Sequence, residues 1–211
     1  MSKTPAQRAR KHGERAAVAH SGRAPLPEPS KRKAQPGEGN PKLIVIAALG
    51  ATVFMFWYFH LLALAQMTQL SSGLAMPDSM LAGFSPAYVE QLRGVMSGDA
   101  LGQLSYVHKT AGTIFALAFG LTFALIVGIL VRRRAARWAG FALVGAFVVV
   151  RVWGYIAIDG ALGSQPFNAG QAVLASVLVV VGWALFAVVV LGAAALGVLT
   201  WRAKRQPPAR L

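Results

Sequence analysis

The chain has 211 residues, no cysteine and a formal net charge of +14, and hydrophobic residues make up 55% of it. This composition is too apolar for an ordinary soluble domain and is typical of a membrane protein. The absence of cysteine excludes disulfides, thiolate metal sites, cysteine nucleophiles and iron–sulfur clusters.

The first 42 residues are predicted to form a disordered basic tail. They contain ten of the 21 Lys and Arg residues, six prolines and no Phe, Trp or Tyr. Such a segment cannot bury enough apolar surface to offset the entropy lost on ordering. We expect it to associate with anionic lipid headgroups and to help fix the orientation of the chain. Docking of RNA or of another protein is the alternative for these charges, although a nucleic-acid partner is not the expectation.

Four apolar stretches follow the tail, and each is long enough to cross a bilayer core as a helix of ~20 residues. They are residues 43–66, 106–131, 138–158 and 172–200. The remaining Lys and Arg gather mainly in the short turn before residue 138 and in a second predicted tail, residues 202–211. The four acids beyond the first tail fall instead in the two alternate loops: Asp78, Glu90, Asp99 and Asp159.

This distribution of charge is the positive-inside pattern. It predicts an all-α membrane protein, a bundle of four transmembrane helices over residues 43–201, in a bacterial inner membrane. Both termini are expected in the cytoplasm.

The loop between the first and second stretches, residues 67–105, is expected on the outer side and carries structure of its own. Ser85-Pro86 is typical of a helix start, with a capping hydroxyl followed by proline at the first helical position. The apolar spacing that follows predicts a short amphipathic helix over 86–97, on the outer membrane surface or on the bundle. Asp99 is expected to cap the next helix.

Polar side chains occur at similar depth in three of the stretches: His60, His108 with Lys109, and Arg151. At ~1.5 Å per residue, the two histidines and Arg151 lie ~6–12 Å inside the predicted outer ends of their helices. A charged side chain there costs at least ~2–3 kcal/mol, so Arg151 is expected to face the bundle interior or a partner.

Three hypotheses account for these groups. The first is structural: His60 and His108 are interfacial, and Arg151 reaches the headgroups or forms an ion pair with Asp159, two turns further on. The second is a haem b site with His60 and His108 as axial ligands, which Lys109 beside a ligand would disfavour. The third is a pocket for a lipid headgroup, quinone or small anion, bounded by His60, His108, Lys109, Arg151 and Tyr155.

Part of the chain resembles a family of small four-span bacterial membrane proteins of uncharacterised function. The resemblance covers residues 76–125 and rests on Met76-Pro77-Asp78, Gly83-Phe84-Ser85-Pro86, Tyr88-Val89, Leu92, Gly102, Tyr106-Val107-His108 and Phe115. It implies four spans with an outer segment that leads into the second one. The family pattern also has an acid in the second span and an Asp-x-x-Glu-Asn-like element in the third. This chain departs from both, at Thr110 to Thr113 and at Val148 to Arg151.

No phosphate-binding glycine loop, dinucleotide fingerprint, zinc-protease motif or serine-hydrolase elbow is present. The sequence therefore predicts a non-enzymatic accessory or scaffold subunit of a membrane assembly, without a cofactor. Its expected partners are the bilayer and either other membrane proteins or further copies of itself. The alternative is a membrane protein that binds a small ligand, quinone or haem through the polar groups in the outer half of the bundle.

Overall fold

The computed structural model describes residues 41–205. The predicted all-α class is confirmed, because the described residues form helices and no strands. The helices in chain order are α1 (Pro41–Phe56), α2 (Leu64–Leu70), α3 (Pro86–Val95), α4 (Gly98–Val107), α5 (Thr113–Leu130), α6 (Arg134–Gly163) and α7 (Ala169–Arg205). Nearly all of the predicted tail at 1–42, and residues 206–211 of the predicted tail at 202–211, lie outside the described part.

Two π-helical segments connect neighbouring α-helices into longer continuous helices. Trp57–Ala63 joins α1 to α2, and His108–Gly112 joins α4 to α5. Four helices are consequently long and apolar enough to cross a membrane: the first span Lys42–Leu70, the second Gly98–Leu130, the third Arg134–Gly163 and the fourth Ala169–Arg202. The chain thus has the architecture of a multi-pass membrane protein.

The spans extend beyond the predicted apolar stretches because their polar end turns are also helical. The second span begins at Gly98, eight residues before the predicted start. Its cap is Ser97, whose Oγ accepts a hydrogen bond from the backbone N–H of Ala100 at 3.2 Å. The prediction that Asp99 caps this helix was wrong, since Asp99 already lies in the first turn.

The centre of the bundle is aromatic. Phe119 lies with its ring centroid 4.3 Å from both Phe123 and Phe147, and Phe115 and Phe59 continue the same core. The third span packs along the second and the fourth, whereas the first span contacts mainly the second. These large rings form an apolar core between the helices, next to the polar residues described below.

Residues 71–97, here called the long loop, close one end of the bundle, which we call the loop end. Helix α3 begins as the Ser85-Pro86 pattern predicts: the N–H of Tyr88 donates to Ser85 Oγ at 3.2 Å. The helix ends at Val95, two residues before the predicted end, because Met96 is extended. Val89 and Leu92 are buried where α3 packs on α6 and α7. The long loop therefore belongs to the bundle.

Candidate functional site: a buried polar cluster

Both intramembrane histidines lie in the π-helical segments. His60 is in the middle of Trp57–Ala63, and His108 begins His108–Gly112. A π turn widens the helix and shifts the side chains that follow it, and such turns occur often at functional sites. The Thr113 hydroxyl donates to the His108 carbonyl at 2.9 Å, which satisfies a backbone group in the widened turn. The local helix geometry is thus altered at the two positions that bring an imidazole to the bundle interior.

His108 is held between two carboxylates. Its Nε2 lies 2.9 Å from Asp78 Oδ2, and its Nδ1 lies 2.6 Å from Asp159 Oδ1. The side chain is 1% exposed. An ionised carboxylate only accepts hydrogen bonds, so both ring nitrogens must donate when both acids are ionised. This geometry corresponds to an imidazolium in two charge-assisted hydrogen bonds.

Asp78 reaches this site from the long loop rather than from a span. It lies in a single 3₁₀ turn, Pro77–Ser79, and is fully buried. Its carbonyl accepts a hydrogen bond from Trp183 Nε1 at 3.0 Å. Burial by itself raises the pKa of the Asp78 carboxyl, but the charge and hydrogen bond of His108, together with the Arg151 charge, hold that pKa below its ordinary value. The loop therefore contributes a carboxylate that stays ionised inside the bundle.

Arg151 contacts the first and fourth spans from its position in the third. Its Nη2 lies 3.2 Å from His60 Nε2. Because a guanidinium has no acceptor, Nε2 must accept and His60 is neutral in this contact. The guanidinium carbon lies 5.2 Å from the Tyr155 ring centroid and 5.5 Å from that of Trp183, within cation–π range. Arg151 is 4% exposed and thus enclosed by aromatic rings and an imidazole.

Two glycines leave the space that these side chains fill. A Cβ on Gly182 would lie 2.8 Å from Arg151 Cδ, and a Cβ on Gly112 would lie 3.0 Å from Tyr155 Cε2. Tyr155 in turn stacks on His108, with the ring centroids 5.2 Å apart and an interplanar angle of 16°. Tyr155 therefore links the carboxylate-bound histidine to the arginine.

The structure brings most of the predicted site residues together. Four of them converge on one interior region: His60, His108, Arg151 and Tyr155. Lys109 does not join them, because it is exposed on another face of its helix. The predicted ion pair between Arg151 and Asp159 is not formed. Asp159 binds His108, and both ion pairs within 4 Å among residues 41–205 involve that histidine.

Sequence reasoning missed Asp78, which was assigned only to an outer loop. No local pattern marks a loop residue that folds back into the bundle. A usable signal was the charge balance, because the predicted spans carry His60, His108, Lys109 and Arg151 but no acid before Asp159. A buried cation needs a counter-charge, and the long loop was the nearest source of one.

Four buried polar atoms of this cluster lack a well-formed hydrogen bond within the protein: His60 Nδ1, Asp78 Oδ1, Arg151 Nε and Tyr155 Oη. His60 lies near the Phe56 carbonyl, and the Tyr155 hydroxyl lies near Arg151, so the geometry of these contacts is weak rather than empty. Each buried polar atom left without a partner costs ~1–3 kcal/mol. The adjoining gap has a volume of about 150 Å³ and is too narrow for a water molecule. It is lined by His60, Phe115, Phe147, Arg151, Gly182, Trp183 and Phe186. His60 and Arg151 line this gap but Asp78 and Tyr155 do not, so the four atoms belong to one cluster of side chains without sharing one cavity.

No family model, curated protein or solved structure matches this chain. The chemistry of the cluster has to follow from its own residues.

The contacts of the two histidines do not favour the haem hypothesis. Both nitrogens of His108 are bonded to carboxylates, so this histidine has none for iron, whereas His60 uses Nε2 toward Arg151 and leaves Nδ1 unsatisfied. An axial ligand needs one free nitrogen directed at the iron. No group of three or more His, Asp or Glu side chains between residues 41 and 205 is arranged to hold a metal ion. The groups that the cluster offers are hydrogen-bond donors and acceptors.

Proposed function

We propose that this chain is a membrane protein that binds a small polar ligand at the cluster formed by His60, Asp78, Arg151 and Tyr155. The observation that carries the proposal is the set of four buried polar atoms that lack a well-formed hydrogen bond, one on each of these residues. Native proteins rarely leave such atoms unsatisfied, and four of them in one cluster are better explained by a bound partner than by stability. A purely structural cluster would be expected to pair its own groups.

The chemistry of these atoms restricts the ligand. His60 Nδ1, Arg151 Nε and Tyr155 Oη can donate hydrogen bonds, whereas Asp78 Oδ1 accepts. A matching group offers acceptor oxygens to the three donors, as a quinone carbonyl, a lipid headgroup phosphate or a small anion does. The role we propose is binding, with no catalytic residue assigned.

We further propose that the loop end faces the outside of a bacterial inner membrane. The support is the positive-inside rule, because Arg132, Arg133, Arg134 and Arg137 lie at the opposite end of the bundle. The ligand would then enter from the outer leaflet or the periplasm. Labelling of single cysteines introduced at Ser79 and Arg133 in intact cells tests this orientation. A membrane-impermeant maleimide should label only the first, and labelling of only the second would reverse the topology.

The binding proposal is tested by what the protein retains on purification. Wild type, Arg151→Leu and Lys109→Leu would be purified in mild detergent, and their small molecules and lipids extracted and identified by mass spectrometry. Lys109 is the matched control, because it is a neighbouring cation exposed outside the cluster. We expect one class of molecule to be enriched in wild type and Lys109→Leu and lost from Arg151→Leu. Equal composition in all three would contradict the proposal, and a Soret band that depends on His60 would favour haem instead.

A role as an accessory or scaffold subunit is the second candidate, and one observation favours it. The first span is the least buried of the four, because only 11% of its most apolar stretch of residues is buried inside the bundle. It presents an exposed aromatic face in which the Phe54 ring stacks with Tyr58 and lies close to Trp57. Aromatic side chains are enriched at protein interfaces. A stoichiometric membrane partner or dimer that is lost on Trp57→Ala but kept on Arg151→Leu would support this role over ligand binding.

A further inference from the structure

The carboxylate inside the cluster is delivered by a segment that is separate from the spans. Residues 74–82 lie between two glycines with left-handed backbone, Gly73 at φ +87° and Gly83 at φ +81°. Within this segment Met76, Pro77 and Asp78 are buried, while the flanking Ser79 is exposed. The segment therefore inserts two apolar side chains and one charged side chain into the loop end of the bundle and then leaves it.

Without Asp78, the cluster would be a site for an anion. Its interior would hold the Arg151 guanidinium and the His108 ring, together with the Tyr155 hydroxyl. The remaining acid, Asp159, is at the edge, with its side chain 20% exposed. Asp78 thus supplies the only fully buried negative charge that faces these groups among the described residues.

Asp78 occupies the place where an anion would bind, here called the anion position, but only one of its carboxylate oxygens is hydrogen-bonded there. One carboxylate oxygen, Oδ2, binds His108, but the other, Oδ1, has no partner, and neither has Arg151 Nε. A free carboxylate has no backbone to hold it and could orient both oxygens toward donors, as paired arginine–carboxylate contacts do. The tethered carboxylate therefore uses only one of its two oxygens in this site.

We infer that Asp78 is an internal carboxylate in the anion position of the proposed site, and that the ligand is a small carboxylate that replaces it when residues 74–82 move outward. This inference rests on the proposed function, specifies its ligand class, and makes Asp78 the group that the ligand replaces rather than one that binds it. Besides the Asp78–His108 pair, three side chains hold the segment through its backbone carbonyls: the Trp183 indole N–H donates to Asp78 at 3.0 Å, the Tyr88 hydroxyl to Ala75 at 2.8 Å, and the Ser71 hydroxyl to Leu74 at 2.7 Å. The exchange swaps one buried carboxylate for another, so the charge inside the bundle is unchanged.

Chemical rescue tests the ligand class. Asp78→Ala removes the tethered carboxylate and leaves its position empty. Thermal unfolding of this variant in detergent would be followed with formate, acetate or decanoate, and with chloride at equal ionic strength as the control. We expect the carboxylates, but not chloride, to raise the unfolding temperature saturably, and Arg151→Leu in the same background to abolish the effect. A monodisperse Asp78→Ala protein that no carboxylate stabilises would overturn the inference.

The two shorter acids and decanoate distinguish the source of the ligand. Rescue by formate and acetate at least as strong as by decanoate would indicate a water-soluble carboxylate. Stronger rescue by decanoate would indicate a fatty acid from the membrane.

Movement of the segment can be measured even where Asp78→Ala does not fold. The chain has no cysteine, so a single cysteine at Met76, which is fully buried, reports opening by its rate of maleimide labelling. A cysteine at exposed Ser79 is the matched control. Acetate or decanoate should accelerate labelling at position 76 and leave position 79 unchanged. Equal rates at position 76 with and without carboxylate would overturn the inference.

The outcomes separate this inference from the proposed function. A ligand enriched in wild type and lost in Arg151→Leu, without rescue or accelerated labelling by carboxylates, would overturn the inference alone. The absence of both an enriched ligand and rescue would overturn the proposed function with it.

Discussion

Replacing His108 with alanine should destabilise the bundle more than any other single change in the cluster. His108 is the residue through which the long loop and the third span meet the second span, since it binds Asp78 and Asp159. The substitution removes both hydrogen bonds and the stacking contact with Tyr155. It also leaves Asp78, which is fully buried, without the partner that keeps it ionised there.

The expected loss of unfolding free energy depends on whether each of the two carboxylates stays buried without a partner. Breaking a buried ion pair by removing one partner costs ~3–5 kcal/mol, because the other charge stays buried without compensation. Asp78 falls in this class, whereas Asp159 is partly exposed and can be hydrated. We therefore expect the free energy of unfolding to fall by ~3–5 kcal/mol in His108→Ala, chiefly through Asp78. Adding Asp78→Asn to His108→Ala should recover part of the loss, because it removes the unpaired charge.

Unfolding by SDS in mixed micelles, followed by circular dichroism, measures these differences. Lys109→Ala is the control, since that side chain is exposed and its loss should change the unfolding free energy by no more than ~0.5 kcal/mol. The reasoning is refuted if His108→Ala is as stable as Lys109→Ala. It is also refuted if Asp78→Asn makes His108→Ala less stable, because the two residues would then not be coupled through charge.

Three further predictions concern other parts of the bundle. Gly182→Ala should lower the unfolding free energy by ~1–3 kcal/mol, because the new Cβ would lie 2.8 Å from Arg151 Cδ. Gly192→Ala in the same helix is the control and should not lower it, because a Cβ there has no atom within 4 Å. Thr52→Val should cost ~0.6–1.7 kcal/mol, as it breaks the 2.8 Å contact with the Thr122 hydroxyl between the first two spans, and equal stability of Thr52→Val and wild type would contradict this. The folded-state pKa of Asp78 is lowered from 3.8, so its contribution to stability is present above that value and is lost as pH falls through the lower folded pKa. The unfolding free energy, measured against pH in acid, should therefore fall more steeply in wild type than in Asp78→Asn. Parallel curves would argue against an ionised Asp78.

The spans and part of the cluster could be predicted because they depend on local pattern. Apolar length predicts the four spans, and Ser85-Pro86 predicts the start of α3. The similar depth of His60, His108 and Arg151 within their stretches was enough to expect them at one level of the bundle. The rotation of each helix then decides which of them meet, and Lys109, next to His108, is turned away.

The rest depends on contacts between distant parts of the chain. Asp78 is 30 residues from His108, and its insertion follows from the path of the long loop, which hydrophobic periodicity does not encode. The two π-helical segments were not predicted either, because they lie in helices that are apolar on nearly every face, where a shift of the side chains leaves no visible break in the periodicity. Asp159 was paired with Arg151 along one helix, but the bundle places a histidine of the second span closer to it.

Native mass spectrometry of the intact protein tests the central claim most directly, because it counts the molecules bound at the buried cluster. Wild type, Arg151→Leu and Lys109→Leu would be released from the same mild detergent and their masses compared. We predict one small-molecule adduct per chain in wild type and Lys109→Leu, and none in Arg151→Leu. Wild-type protein free of any adduct, or the same adduct in all three proteins, would contradict a ligand site built on Arg151.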